Sequence, residues 1–249
     1  MTTILVAYDE GRIIGNDGRI PWSIPADLRR FQNLTTGNAV IMGRKTFESL
    51  PHGPLPDRMN IVISRTRLPT KPPESRTEGV LWVCDPQDAI QFAWDRQLKP
   101  FVSGGEQIYR HFLHKGLIHK IIATEVKGRH EGDTYFPRLY EYEGWTGQVM
   151  EELGAYRIVE YLSLRALRQQ RNDLKQQLAI VGEKYSALRK ERDKLIAKVL
   201  QYNSSSSDTN ALRTKLQALR KKLNAYEQRA IQEYRHQQDY LPYDDDDRR

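Results

Sequence analysis

The sequence predicts an α/β domain, with a mostly parallel central sheet flanked by helices and an antiparallel edge at its C-terminal side, followed by an α-helical coiled-coil tail. Three observations carry this expectation. Short apolar runs alternate with helix-patterned segments through the first 164 residues, the rhythm of α/β domains. The last two of those runs alternate apolar with polar residues, as strands do when only one face is covered. Beyond Leu164 the apolar period becomes seven.

Taken in order, the runs at 4–8, 39–42, 60–64, 80–84, 101–103 and 120–126 are nearly all apolar and predict strands covered on both faces. The runs at 147–151 and 156–164 predict an antiparallel hairpin at the sheet edge. Helices are predicted over 25–35, 45–50, 86–96 and 106–114, and Pro25 and Pro86 suit first-turn positions. Residues 65–79 hold Pro69, Pro72 and Pro73 without periodicity and read as loop. With Leu164 as position a, ten of twelve a and d positions up to Tyr202 are apolar or aromatic, Arg171 and Arg192 being the exceptions. Such a helix is roughly 58 Å long at about 1.5 Å per residue. The NSSSSD stretch at 203–208 breaks it and offers N-caps for a second helix over 209–237. Residues 239–249 are acidic and read as disordered. The expected domains are therefore 1–164, a coiled-coil region 165–238 broken at 203–208, and a tail 239–249.

Charge separates the same two parts. Of 39 basic and 32 acidic residues, the first 164 positions hold 20 of each, so the net charge of +7 belongs wholly to the remainder. All four Trp, all four Met and all six Phe lie before residue 165, and the mean hydropathy of −0.70 reflects a chain that is not all core. The single cysteine, Cys84, excludes an intramolecular disulfide framework and reads as a small core residue at the end of an apolar run. No basic segment leads into a long apolar one at the N-terminus, and no apolar run is long enough for a membrane span. A cytoplasmic protein is expected.

Three segments carry residues suited to chemistry. Residues 9–22 (DEGRIIGNDGRIPW) hold three glycines, with Ile20 and Trp22 as apolar closing groups. Asp27 follows in a first helical turn, one turn from Phe31. It reads either as an acid complementing the helix N-terminus or as a carboxylate facing a pocket walled by Trp22, Leu28 and Phe31, able to accept two hydrogen bonds from an amidine-like ring edge. Residues 40–46 (VIMGRKT) run from strand through Gly43 into a helix, with Arg44 and Lys45 adding charge where an anion meets free N–H groups. Residues 101–109 (FVSGGEQIY) repeat the strand–glycine–helix arrangement. Ligands bind at the carboxyl ends of such strands, yet neither GxGxxG nor a Walker A loop is present.

The blocks at 14–28 (IGNDGRIPWSIPADL), 40–50 (VIMGRKTFESL), 54–64 (PLPDRMNIVIS), 104–109 (GGEQIY) and 131–136 (EGDTYF) resemble, in order and spacing, the signature blocks of the dihydrofolate reductase family. The resemblance covers residues 1 to about 164. It implies a dihydrofolate reductase-like fold and NADPH-dependent reduction of 7,8-dihydrofolate to tetrahydrofolate, by hydride transfer to pterin C6 with protonation at N5. It implies that Asp27 holds the pterin, that Trp22 positions a water, and that Thr124 supports Asp27. By the same resemblance Leu28, Phe31, Ser49, Leu50 and Leu55 line the benzoyl channel and Arg58 takes the α-carboxylate. Gly43, Arg44, Lys45, Thr46, Ser64 and Arg65 face the 2′-phosphate and diphosphate side of NADPH. Gly104, Gly105, Gln107 and Ile108 complete the diphosphate turn, while Ala7, Ile14 and Tyr109 lie beside the nicotinamide and pterin. No metal is implied. Ile20, Glu106 and His52 depart from the usual pattern; an acid at Glu106 weakens NADPH binding unless it points away.

The tail lies outside the family pattern. Residues 165–238 hold 17 basic and 7 acidic residues. Homo-oligomerisation or docking of an assembly through the heptads, an intramolecular hairpin about 203–208, and nucleic-acid binding by the basic surface all stay open. For the whole chain, the rivals to a folate reductase are an assembly component using a reductase-like scaffold and a pyrimidine reductase of riboflavin synthesis.

Overall fold

A computed structural model describes residues 1–67, 69–142, 144–201 and 207–238. Cα packing divides the chain into two units, Met1–Arg168 and Gln169–Arg249.

The first unit runs β1 (Thr3–Asp9), β2 (Ile13–Gly15), α1 (Pro25–Thr35), β3 (Ala39–Gly43), α2 (Arg44–Glu48), β4 (Met59–Ile63), β5 (Gly79–Val83), α3 (Pro86–Asp95), β6 (Pro100–Val102), α4 (Glu106–His114), β7 (Lys120–Val126), β8 (Thr134–Tyr135), β9 (Trp145–Glu152) and β10 (Tyr156–Ser163). Eight strands form one sheet in the order β5-β4-β3-β6-β1-β7-β10-β9. Pairings from β5 through β7 are parallel, and β7–β10 and β10–β9 are antiparallel. The fold is the expected one: β3 and β4 are buried along almost their whole length, whereas β9 is exposed after its first residue. Helices cover both faces of the parallel part, so each strand there needs apolar side chains on both sides. Ile41, Met42, Ile61 and Phe112 are fully buried, each contributing about 1.5–3 kcal/mol of transfer free energy.

Proline starts α1 and α3, where a missing N–H costs nothing. Asp85 caps α3 by accepting from the Gln87 N–H at 2.7 Å. No side chain caps α1, whose N-cap is Ile24. Two short strands were not expected. β2 and β8 pair antiparallel, Ile13 with Tyr135 and Gly15 with Thr134, and give residues 9–22 a fixed anchor. Cys84 corrects a sequence expectation. β5 ends at Val83, and the thiol one residue further on is exposed, 3.9 Å from the Arg67 carbonyl oxygen. The apolar run outlasts the sheet by one residue.

In the second unit α5 (Leu164–Gln201), which begins at the end of the first, is followed by α6 (Ser207–Gln238). On α5, Val181, Tyr185, Leu188 and Leu195 are half-buried; on α6, Leu219 and Leu223 are buried, and Leu212, Leu216 and Tyr226 half-buried. Leu178 and Ile180 stay 45% and 52% exposed. The acidic segment 239–249, expected to be disordered, lies outside the described residues. Among the described residues no helix is long and apolar enough to cross a membrane.

Candidate active site

The carboxyl ends of β1, β3, β4, β6 and β7 open on one cleft of about 1900 Å³. Single-ligand pockets usually span about 300–1,000 Å³, so this cleft has room for two ligands at once. Ala7, Gly43, Ser64, Gly104 and Thr124 reach it from strand ends; Asp27, Leu28 and Phe31 reach it from α1.

Asp27 does not cap its own helix. Its Oδ1 accepts from Thr124 Oγ1 at 2.5 Å across the cleft, and Thr124 is only 2% exposed. One hydroxyl thus holds a carboxylate that lines the cleft. Tyr109 stands near: its phenol donates to the Leu5 carbonyl at 2.9 Å, and burial, then the Asp27 charge, push it above the ordinary tyrosine range. Arg58 is buried, with Nε donating to the Pro56 carbonyl at 2.7 Å and Nη1 to Thr35 Oγ1 at 3.5 Å. Burial lowers its pKa, partly offset by Asp57, but a guanidinium stays charged. Ser49, Leu50 and Leu55 complete this wall with Leu28 and Phe31.

The other arm is built on glycine. A Cβ on Gly43 would meet Ile108 Cγ1 at 2.9 Å, and one on Gly104, at φ +138°, would meet Thr46 Cγ2 at 3.1 Å. Gly43 N donates to the Gly104 carbonyl at 2.9 Å, tying the two strand–glycine–helix turns together. The Gly104–Gly105 peptide is cis. Lys45, Thr46, Ser64, Arg65, Gln107 and Ile108 surround these turns. Arg44 is already paired with Glu48 at 2.7 Å. The Glu106 carboxylate is occupied too: it accepts from Arg110 at 2.9 Å and from the Tyr135 N–H at 3.1 Å, so its charge is paired.

Residues 9–22 are clamped from outside the cleft. The buried Asp9 carboxylate accepts from the Ile13 N–H at 2.9 Å and the His130 N–H at 2.6 Å, with His130 Nδ1 at 3.3 Å. Burial alone raises its pKa, but these bonds outweigh it and hold the group below the ordinary carboxylate range. Asp133 accepts from the Asp17 N–H at 3.3 Å. Ile14 and Ile20 line the cleft, but Trp22 does not; its ring packs edge-on against His130, 5.0 Å between centroids. Every other expected site residue lies on the cleft wall. Sequence reasoning missed Asp9, His130 and Asp133. Asp133 sits inside a quoted block; Asp9 and His130 meet across 121 positions and leave no local signal.

An open α/β sheet whose strand ends hold one fixed carboxylate, an apolar channel ending in a buried arginine, and two glycine turns ringed by cations defines a reductase of the two-ligand, nucleotide-dependent class. A family model for dihydrofolate reductase matches residues 1–156, and the chain belongs to that family. Its curated relatives include the dihydrofolate reductase of Haemophilus influenzae, 39% identical over 143 residues, which span 57% of this chain and 82% of that protein. Dihydrofolate reductase HdrB of Haloferax volcanii is 33% identical over 166 residues, covering 64% and 81%. Among solved structures, the dihydrofolate reductase of Enterococcus faecalis complexed with NADP(H) and RAB-propyl aligns with a TM-score of 0.50 at 26% identity. It covers 66% of this chain and 96% of that one.

Proposed function

We infer that the protein reduces 7,8-dihydrofolate to 5,6,7,8-tetrahydrofolate with NADPH, and that Asp27 is the group on which the reaction turns. The observation that carries the assignment is the Thr124-to-Asp27 bond at 2.5 Å, which points the carboxylate across the cleft instead of into its own helix. A carboxylate held so accepts two parallel hydrogen bonds from the pterin's N3 and 2-amino edge. It fixes the ring and favours the proton that N5 must gain. Tyr109 and Thr124 hold the reacting end by hydrogen bonds to fixed partners, and alignment of this kind is the protein's main contribution to hydride transfer. Arg58 meets the α-carboxylate at the end of the channel formed by Leu28, Phe31, Ser49, Leu50 and Leu55. NADPH supplies the hydride when bound. The paired glycine turns offer the helix N-terminal N–H groups to a diphosphate; glycine is required there because a Cβ at Gly43 or Gly104 would crowd Ile108 or Thr46. Arg65, Ser64, Arg44, Lys45 and Thr46 take the phosphates, with Gly105, Gln107 and Ile108 closing the turn and Ala7 and Ile14 beside the nicotinamide. The loop 9–22 excludes water from this end, and Trp22 acts through it by packing on His130. The test is NADPH oxidation dependent on dihydrofolate, which disappears in Asp27→Asn at neutral pH.

For the tail we propose a two-helix hairpin that self-associates. The buried Leu219 and Leu223 support closure of α5 on α6 within one chain, and the exposed Leu178 and Ile180 leave apolar surface for a second copy. The proposed division is a catalytic region ending near residue 164 and a helical region from 165 to 238. A protein with one cysteine and no pairing partner for it suits the cytoplasm. Sedimentation equilibrium of the full chain tests the oligomer, and its dependence on added DNA tests the basic surface.

A further inference from the structure

An acid placed directly after the Gly104–Gly105 turn repels phosphates held there unless its charge is engaged elsewhere. Glu106 is engaged on both oxygens. Oε1 accepts from Arg110 Nη2 at 2.9 Å, one turn along α4. Oε2 leaves the helix and accepts from the Tyr135 N–H at 3.1 Å, across 29 positions. Tyr135 belongs to β8, a strand of two residues whose other edge carries the loop. On that edge Phe136 N donates to Arg12 O at 2.8 Å and Asp133 N to Gly15 O at 3.1 Å, with Ile13 paired to Tyr135. Adjacent N–H groups of a strand point to opposite edges, so the Tyr135 N–H points away from β2. The small sheet has only the strands β2 and β8, and Glu106 takes the place of a third. β8 and the loop are also in close contact, since a Cβ on Gly132 would meet Gly15 O at 2.6 Å.

The two ends of β8 are held differently. Beyond Tyr135, the buried Phe136 packs on Tyr8 and Tyr109, 5.3 Å and 5.2 Å between centroids, and anchors the segment in the core. Before it, Asp133 and Thr134 line the cleft, and the bond to Glu106 fixes this end against the start of α4. A carboxylate accepting from a backbone N–H makes a charge-assisted bond, stronger than a neutral one. The pair with Arg110 is a partly exposed i,i+4 contact and contributes little. We propose that Glu106 is a positioning residue for the reductase reaction: through the Tyr135 N–H it sets the β2–β8 ribbon, and with it loop 9–22, in register with the diphosphate turn. The nucleotide arm and the loop that covers the reacting end are thereby aligned for hydride transfer. The inference rests on the reductase reading above, and Glu106 acts through β8, not on the reacting atoms.

Three variants of the full chain separate the bond from the charge. Glu106→Gln keeps an acceptor for the Tyr135 N–H and removes the charge, Glu106→Ala removes both, and Arg110→Met removes only the ion pair. Single-turnover hydride transfer from bound NADPH to dihydrofolate should fall at least about tenfold in Glu106→Ala. It should stay within about threefold of wild type in Glu106→Gln and Arg110→Met. The NADPH Kd should hold level or tighten in both Glu106 variants, because an acid leaves the phosphate side. Amide exchange at Tyr135, read by NMR on the ligand-free protein, should speed up at least about tenfold in Glu106→Ala alone, with thermal melts checking that each variant is folded. Wild-type hydride transfer in a folded Glu106→Ala protein overturns the proposal by leaving the bond a purely structural role. Equal losses in Glu106→Ala and Glu106→Gln overturn it by assigning the effect to charge, and unchanged exchange at Tyr135 overturns the tie itself. Failure of the reductase reading is distinct from all three, because it shows as a wild type without turnover before any variant is made.

Discussion

Replacing Asp27 by Asn separates the two things a first-turn acid can do. The side chains are nearly isosteric, and the Thr124 hydroxyl, now 2.5 Å from a carboxylate oxygen, can donate equally to the amide oxygen. What changes is the other branch, where an acceptor becomes an NH₂ facing the donors of the pterin edge. One of the two parallel bonds is lost and the other no longer meets a charge, each change costing about 1.5–3 kcal/mol. A loss of about 3–6 kcal/mol in the transition state lowers turnover roughly 10²–10⁴-fold at neutral pH. Turnover should partly recover between roughly pH 9 and pH 5, because solvent protonates the substrate in advance. The assay is single-turnover NADPH oxidation across that range, beside a thermal melt. If Asp27 only complemented the helix N-terminus, Asn would remove about 0.3–1 kcal/mol of stability and leave turnover alone. Unchanged turnover with a lowered Tm therefore refutes the catalytic reading, and a loss equal at every pH refutes the role in protonation.

Four further outcomes follow from the same geometry. Thr124→Val deletes one bond to the carboxylate and should reduce kcat/KM by about tenfold or more; an unchanged value would mean that Asp27 holds its orientation without the hydroxyl. Arg44→Ala with Arg65→Ala should weaken NADPH and spare NADH, with Arg65 the larger contributor because Arg44 is already engaged by Glu48; equal losses for both nucleotides would assign the pair to a shared group. Asp9→Asn should cost about 1–3 kcal/mol, or a Tm decrease of about 2–10 °C. Since the folded pKa of Asp9 lies below its ordinary value of 3.8, its stabilisation is present above that pH and is lost as the pH falls through the folded value. The Tm difference between wild type and variant should therefore shrink in acid, and a constant difference would show that the charge is irrelevant. A chain ending at Arg168 should fold, retain activity and sediment as a monomer while the full chain self-associates; an inactive truncation would place part of the catalytic unit in the helices.

The sheet was legible because both-face burial forces nearly continuous apolar runs, as in Ala39–Gly43 and Met59–Ile63. The antiparallel edge was legible because its two runs mix polar with apolar residues, and β9 is indeed exposed after Trp145 while β10 is only partly covered. β2 and β8 were not, because three and two residues carry no periodicity and their partner lies about 120 positions away. Cys84 shows the limit of reading an element's end from composition. Apolar character continues past the last paired residue, and only hydrogen bonding reveals where the sheet stops. Gly43 and Gly104 were visible as turns, but the reason they admit no side chain, contact with Ile108 and Thr46, exists only once the two turns are brought together. Trp22 was readable as a member of the loop, not as the residue that leans away from the cleft onto His130.

The position of Cys84 makes this chain unusually convenient to instrument. It is the only thiol in 249 residues, it is exposed, and it lies on the wall of the cleft beside Asp85 and Pro86, on the arm that holds Arg65. A maleimide dye will therefore attach at one known point without any engineering of competing cysteines. Nucleotide bound on that arm, as proposed above, would change the dye's surroundings directly, and a ligand held at the Asp27 end would do so less. One labelled sample then records the order in which the two ligands arrive and leave, in real time and without consuming either.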